Sequence, residues 1–575
     1  MSYTSEKNVQ MLIYLMKEHG IRRVIASPGT TNITFVASVQ KDSFFEIYSA
    51  ADERSAAYMA CGMAAESGEP VALTCTGATA SRNYVPGLTE AYYRKLPVLA
   101  ITSTQPIGRI GNMQPQVIDR STIQNDIAVY HTEIPYIHDN EDEWDVNLKI
   151  NRALLALKHR GGGPVHINLE TRYTRDFSVQ ELPKYRKIER ITVNDSLPEI
   201  PKKKIAVFVG SHRRWSAELT QTVDRFCESY DAVVICDHTS NYHGKYGIQF
   251  NLISDQSYLD SDNKRIGLLI DMGEMSGAYM GLKPEEVWRV NADGEIRDTH
   301  KKITKIFDME EIDFFKNYAL DSMVECNYYY QCKQEYNSLL NNIPDLPFSN
   351  IWLAQNTAGK LPKNSIVHLG ILNSLRSWNF FEFDPSIDCY CNTGGFGIDG
   401  IVSSFIGSAL ASKDKLHYLI IGDLAFFYDL NAIANKNVPN NIRILLVNNG
   451  CGTEFKNYNH FAASFGEDAD EFMAARGHYG NQSPNLVKDY STDLGFKYLT
   501  ADSKEKYLSL VDEFISADSL DKPILFEVFT NSADESGALK LVKEIIQVKP
   551  NKMKNAVKNV LGEKGTMLVK RMINR

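Results

Sequence analysis

The chain has 575 residues, 43 % of them hydrophobic and 23 % charged, with a formal net charge of −9. That length suits several domains of ordinary size, and that composition is typical of a globular chain. The acidic balance gives no support to a nucleic-acid partner, which a basic face would attract. Nine cysteines stand singly, and the nearest pair, Cys389 and Cys391, lacks metal-site spacing. Free thiols in a reducing, cytoplasmic compartment are the expectation. The opening MSYTSEKNVQ has no signal-peptide character, and no apolar run is long enough to cross a bilayer.

Three segments rich in strand and helix signals follow in chain order. The first closes near Arg172 with GGGPVHINLE, a glycine-rich turn before a buried strand. Within it, FFEIYSA reads as a strand and RSAAYMACGMA as a helix, with Glu53 at the step between them. An acid there is favoured by the helix macrodipole whatever its other duties. LPKYRKIERITVNDSLPEIPKKK, charged and broken by proline, reads as a linker. The second segment runs through the strand signals IAVFVG, AVVICD, IGLLIDMG and VWRVNAD. Its VFVGSHRR lacks a full glycine fingerprint, so no FAD is expected. A tyrosine-rich helix around Asn327 to Leu340 leads to the third segment, from about Phe348 to Thr530.

In that third segment, HYLII (His417 to Ile421) and IRILLV (Ile442 to Val447) are short, apolar runs of the kind buried in parallel sheets. DLNAIANKN between them has helical spacing, stopped by Pro439. The unit is βαβ, and ligands of such sheets gather at the carboxyl edge. Gly422-Asp423 ends the first strand and Asn448-Asn449 the second. A carboxylate and an amide oxygen on neighbouring strand ends are hard ligands of the kind Mg²⁺ takes, with phosphate oxygens completing the shell. Beside a helix amino end, the pair also suits a diphosphate.

From Asp423 to Asn449 is 449 − 423 = 26 positions. The pattern resembles the thiamine-diphosphate (ThDP) motif, GDG followed at such a distance by NN, with Leu424 in place of the second glycine. The resemblance implies that Gly422, Asp423, Leu424 and Asn449 hold the cofactor. Asp423, Asn449 and the backbone carbonyl of Cys451 would ligate Mg²⁺. It further implies that Glu53 tautomerises the aminopyrimidine by acid–base catalysis.

Further blocks are similar to the menaquinone-pathway 2-succinyl-5-enolpyruvyl-6-hydroxy-3-cyclohexene-1-carboxylate synthase family. They are SPGTTN at Ser27, DERSAAYMACGMA at Asp52, TGATASRNYVPGLTEAYY at Thr76, GPVHINLE, EEVWRVNADGEIRD at Glu285, NTGGFGIDG at Asn392 and GDLAFFYDLNAI at Gly422. The resemblance implies three doubly wound α/β domains with parallel sheets: pyrimidine-binding over 1–185, middle over 200–330 and diphosphate-binding over 345–545. It implies a homodimer or dimer of dimers with active sites shared between subunits. By the same resemblance, Thr79 and Asn83 would fall on the pyrimidine side, and Ile398 would be the apolar wedge bending the cofactor. Gln114 and Gln116 are both candidates for the glutamine that reaches the reacting carbonyl.

The resemblance breaks where the family binds carboxylates with arginines. Thr31, Gln105 and Thr393 stand at three such positions. Trp378 stands at a fourth, with Arg376 two residues earlier, and Glu454 precedes Phe455 where the family is aliphatic. Each lost charge-assisted bond is worth about 1.5–3 kcal/mol, so an isochorismate-like acceptor is disfavoured. Arg82 is a candidate substitute for a missing charge, and Glu454 a candidate hydrogen-bond partner or proton relay.

The expected activity is decarboxylation of a 2-oxo acid with transfer of the acyl fragment to a second carbonyl or enone. A simple 2-oxo acid decarboxylase and a non-catalytic ThDP-fold binding protein are the alternatives. The segment 546–575 is a basic amphipathic tail, expected to be a solvated terminal helix, with contact to an anionic membrane as the other reading.

Overall fold

The computed structural model describes residues 2–477, 483–517 and 521–546. The basic tail therefore lies outside the described residues. The chain divides into two compact units. The first takes residues up to Ser196 together with Gly294–Asp308, and the second takes Leu197–Asp293 and the chain from Met309 onward.

In the first unit, β1 (Arg23–Ala26), β2 (Glu46–Ser49), β3 (Val71–Thr76), β4 (Val98–Thr104), β5 (Tyr130–Ile134) and β6 (Val165–Glu170) form a sheet. Its order is β2-β1-β3-β4-β6-β5, and every pairing is parallel. A parallel sheet must be covered on both faces, which is why β6 is buried at every residue. Neighbouring residues of one strand serve opposite faces. Val24 and Leu99 pack with Leu12 and Ile150 of helices Lys7–Glu18 and Asn140–Ala156. Ile25 and Val98 pack with Ala57 and Leu88 of helices Glu53–Ser67 and Val85–Tyr93. Those last two helices meet where Gly87 faces Ala57, and a Cβ on Gly87 would fall 2.4 Å from the Ala57 methyl.

The stretch read as a linker contains a strand, β7 (Glu189–Thr192), paired in parallel with β13 (Ile303–Asp308). Only Ile191 of β7 is buried, so its charged neighbours hid it from a reading by hydrophobicity. The Lys305–Glu189 and His159–Asp308 pairs flank this ladder.

The second unit holds two more parallel sheets. One contains β8 (Ile205–Val209), β9 (Val233–Cys236), β10 (Gly247–Gln249), β11 (Arg265–Met272) and β12 (Lys283–Val290), in the order β10-β9-β8-β11-β12. The other contains β14 (Ile366–Leu369), β15 (Asp388–Tyr390), β16 (His417–Gly422), β17 (Ile442–Asn448), β18 (Lys497–Ala501) and β19 (Ile524–Phe529), in the order β15-β14-β16-β17-β19-β18. The expected α/β class of three parallel sheets with interleaved helices is thus the observed architecture.

One helix differs from expectation. DLNAIANKN is not a regular α-helix: the α-helix begins earlier, at Asp423–Tyr428, and a 3-10 stretch covers Leu430–Ala434. Asp429 interrupts it because its carboxylate is turned to the amide and hydroxyl of Ser403, 2.6 and 2.8 Å away. Among the described residues all nine cysteines are free, and no helix is long and apolar enough to cross a membrane.

Candidate functional site

Strands β16 and β17 lie side by side with Gly422 opposite Val447, so their carboxyl ends finish level. Asp423 opens the helix after β16 and is 2 % exposed. Its Oδ1 accepts from Leu424 N–H at 2.8 Å, and its Oδ2 from Gly450 N–H at 2.7 Å and Asn449 N–H at 3.2 Å. Gly450 has φ +81°, a left-handed turn that aims successive N–H groups at one carboxylate. Burial pushes the Asp423 pKa up to about 6 against the pull of those three donors. No cationic side chain is ion-paired with it among the described residues.

The asparagine doublet divides its labour. Asn448 is buried and donates to Glu527 Oε1 at 2.7 Å, while Tyr498 donates to Oε2 at 2.8 Å. Asn449 keeps a buried side-chain oxygen that accepts no hydrogen bond. A buried acceptor without a donor is costly, and beside a buried carboxylate without a cation it points to a positively charged ligand. The Cys451 carbonyl accepts from Thr453 N–H at 2.9 Å and retains a second lone pair. These three oxygens fit Mg²⁺. Among the described residues no group of three or more His, Cys, Asp or Glu side chains is suited to a metal. With one carboxylate, one amide and one backbone carbonyl, a six-coordinate cation here would have room for further oxygens, such as those of a diphosphate.

Around this edge, Leu424 is half-buried and lies against Gly452, where an added Cβ would sit 3.3 Å from its Cδ1. Ile398 is half-buried in the turn before helix Ile401–Ala411, outside the packed core. Thr393 is buried, with its hydroxyl 3.3 Å from Ser211 Oγ. Phe455 is 37 % exposed and meets His460 edge-on.

Arg376 and Glu454, read separately in the sequence, are partners. Nη1 donates to Oε2 at 2.7 Å and Nη2 to Oε1 at 2.8 Å. Both carboxylate oxygens accept from the guanidinium, so Glu454 is tied to Arg376 in this arrangement. Trp378 is fully buried and donates to Asn350 Oδ1. Asn350 in turn gives its backbone N–H to Glu535 at 2.9 Å, and Thr530 gives its hydroxyl at 2.8 Å. Burial pushes the Glu535 pKa up to about 7. Glu535 carried no sequence signal, since the helix that buries it and its partner Asn350, 185 positions away, are not legible locally.

The first unit carries the other candidates. Glu53 is the first residue of its helix, which Asp52 caps by accepting from Arg54 N–H. Asn83 Nδ2 donates to Glu53 Oε2 at 3.3 Å. Thr79 and Asn83 share the short helix Thr79–Asn83, and both are exposed. Two arginines tie that helix to the loop that follows β4: Arg82 donates to the Asp119 carbonyl, and Arg120 reaches back to the Gly77 carbonyl. Arg120 is 3 % exposed with no carboxylate paired to it among the described residues, and sequence reading had passed it over. Gln114 and Gln116 sit exposed in that loop, Gln116 at φ +63°. Thr31 is buried, its hydroxyl bonded to Thr76 Oγ1 and the Ser103 carbonyl, so it presents no free group. Gln105 is half-buried and accepts from Arg109.

Comparison with known proteins follows the same lines. Residues 7–127 match the family described as thiamine pyrophosphate enzyme, N-terminal TPP binding domain. The chain is 29 % identical over 574 residues to a 2-succinyl-5-enolpyruvyl-6-hydroxy-3-cyclohexene-1-carboxylate synthase of Phocaeicola vulgatus, spanning 94 % of this chain and 98 % of that protein. Synthases of the same name from Bacteroides thetaiotaomicron and Bacteroides fragilis are also 29 % identical, with the same coverage. A level strand edge with a buried, cation-free carboxylate and an orphaned amide oxygen agrees with these similarities: over residues 7–127 the chain matches the N-terminal domain of thiamine pyrophosphate enzymes, and along nearly its whole length it is similar to these synthases.

Proposed function

We propose that the protein is a Mg²⁺- and ThDP-dependent carboligase. It removes CO₂ from a 2-oxo acid and joins the remaining acyl fragment to a second carbonyl or enone. The observation that carries this reading is the orphaned Asn449 oxygen beside the buried Asp423 carboxylate. Asp423, Asn449 and the Cys451 carbonyl hold the metal, with Gly422 and Leu424 flanking the diphosphate. Bound ThDP supplies a carbon nucleophile and an electron sink for decarboxylation. Glu53, with one oxygen held by Asn83, gives and takes a proton at the pyrimidine ring nitrogen. Ile398 would offer apolar support to the cofactor, Thr79 and Asn83 would hold its pyrimidine side, and Gln114 or Gln116 would reach the reacting carbonyl.

In this reading the pyrimidine-binding domain is 1–185, the middle domain 200–330 and the diphosphate-binding domain 345–545. Two copies of the chain complete the active sites as a homodimer or a dimer of dimers. The relatives named above are synthases of a cyclohexene carboxylate. Thr31, Gln105, Thr393 and Trp378 supply none of the positive charge that such an acceptor needs, so a different acceptor is proposed.

The test is CO₂ release from pyruvate, 2-oxobutyrate, 2-oxoglutarate and phosphonopyruvate with Mg²⁺ and ThDP, first without and then with candidate aldehyde and enone acceptors. Release that rises on adding an acceptor, with a coupled product, is the expected result. Full release without acceptor would make the protein a simple decarboxylase. ThDP that fails to bind would remove the reading altogether.

A further inference from the structure

The ion pair between Arg376 and Glu454 occupies a telling place in the third sheet. Arg376 lies on helix Asn373–Trp378, which follows β14, and Glu454 on the turn Thr453–Lys456, which follows β17. Strand β16, ending at Asp423, runs between β14 and β17. The pair therefore reaches along the carboxyl edge from one neighbour of Asp423's strand to the other.

Its geometry is the two-pronged match of a guanidinium to a carboxylate, with both hydrogen bonds under 3 Å. Asn457 adds a third donor to Glu454 Oε2 at 3.3 Å. The two side chains remain 25 % and 19 % exposed, so the pair borders open space instead of being sealed in the core. An arginine at such an edge is a ready receptor for a carboxylate or phosphate. Here the chain supplies that carboxylate itself.

We infer that Glu454 acts as a built-in carboxylate that occupies Arg376 and so excludes an anionic group of the second substrate from this edge. Resting on the carboligase reading, this makes the acceptor one that is uncharged where it meets the pair, such as a neutral carbonyl compound bearing hydroxyl groups. Specificity of this kind comes from a repulsive element as much as from an attractive one, since an incoming carboxylate meets Glu454 as well as Arg376.

The experiment uses the full chain with Mg²⁺ and ThDP, and succinate as the probe, in titration calorimetry. Wild type is expected to show little affinity. Glu454→Gln, which keeps the side-chain volume and removes the charge, is expected to bind succinate at least tenfold more tightly, with the gain weakened by salt. Adding Arg376→Met to that variant is expected to abolish the gain. If Glu454→Gln does not fold, Glu454→Asp, which retracts the carboxylate, is expected to give a smaller gain in the same direction. An unchanged succinate affinity in both variants, or tight binding already in wild type, would overturn the inference. ThDP binding, measured in the same samples, reports separately on the carboligase reading.

Discussion

Arg120 lies flat against Gly77, where an added Cβ would meet the guanidinium nitrogens at 2.9 and 3.0 Å and the Ser103 carbonyl at 2.6 Å. The absence of a side chain at Gly77 is what lets the buried arginine reach the carbonyl beneath it. Gly77→Ala is expected to destabilise the protein by about 1–3 kcal/mol, because a backbone oxygen cannot move aside as a flexible side chain would. Urea denaturation checks this. Because the short helix Thr79–Asn83 begins two residues later, hydrogen exchange over residues 77–84 is expected to quicken as well.

Glu53→Gln keeps the shape of the side chain and removes the exchangeable proton. Turnover is expected to fall by about 10²–10⁴-fold, the usual share of a positioned acid–base group, while ThDP still binds. Single-turnover kinetics beside cofactor titration separates the two effects. Full activity in this variant would refute the assignment of Glu53.

The two asparagines of the doublet are expected to fail differently. Asn448→Ala takes the donor from Glu527 Oε1, leaving only the Tyr498 bond to Oε2, and should cost about 1–3 kcal/mol of stability. Asn449→Ala removes an oxygen that has no partner in the protein and should leave stability within about 0.5 kcal/mol. It should instead weaken Mg²⁺-dependent ThDP binding, as should Asp423→Ala more severely. Thermal melts with and without Mg²⁺ and ThDP read both outcomes.

Glu535 sets a pH dependence. Its folded pKa of about 7 lies above the ordinary glutamate value of 4.5, so the folded protein holds its proton more tightly than the unfolded chain does. Its contribution is therefore most favourable below pH 4.5 and is lost as pH rises from about 4.5 to 7. By linkage that loss is at most about 3 kcal/mol. Glu535→Gln, which can still accept from Thr530 and Asn350, is expected to flatten stability across that window in denaturant titrations at several pH values.

The strands that bear Asp423 and Asn449 were legible in the sequence because parallel strands announce themselves as unbroken apolar runs, and β16 and β17 end within a residue of where HYLII and IRILLV end. Local pattern also placed Glu53 at a strand-to-helix step. It was blind to β7, whose single buried residue is outweighed by charged neighbours. It read Arg376 and Glu454 as independent changes because 78 positions separate them. Arg120 and Glu535 were missed for the same reason: each has a backbone partner on a remote segment, Gly77 and Asn350 respectively, and nothing in the adjacent residues marks a buried charge.

The first unit is not contiguous in the chain, and this bears on its birth at the ribosome. Strand β7 finds its partner β13 only when Asp308 has been made, 308 − 196 = 112 residues after the unit's main segment ends at Ser196. At about 5–20 residues per second, that is a wait of roughly 6–22 s. Throughout it the edge of β7 stays open to other chains, while residues of the second unit emerge from the exit tunnel. A nascent fragment released before Asp308 never gains that partner, and only the shortness of β7 and its charged residues Glu189 and Arg190 then blunt the open edge.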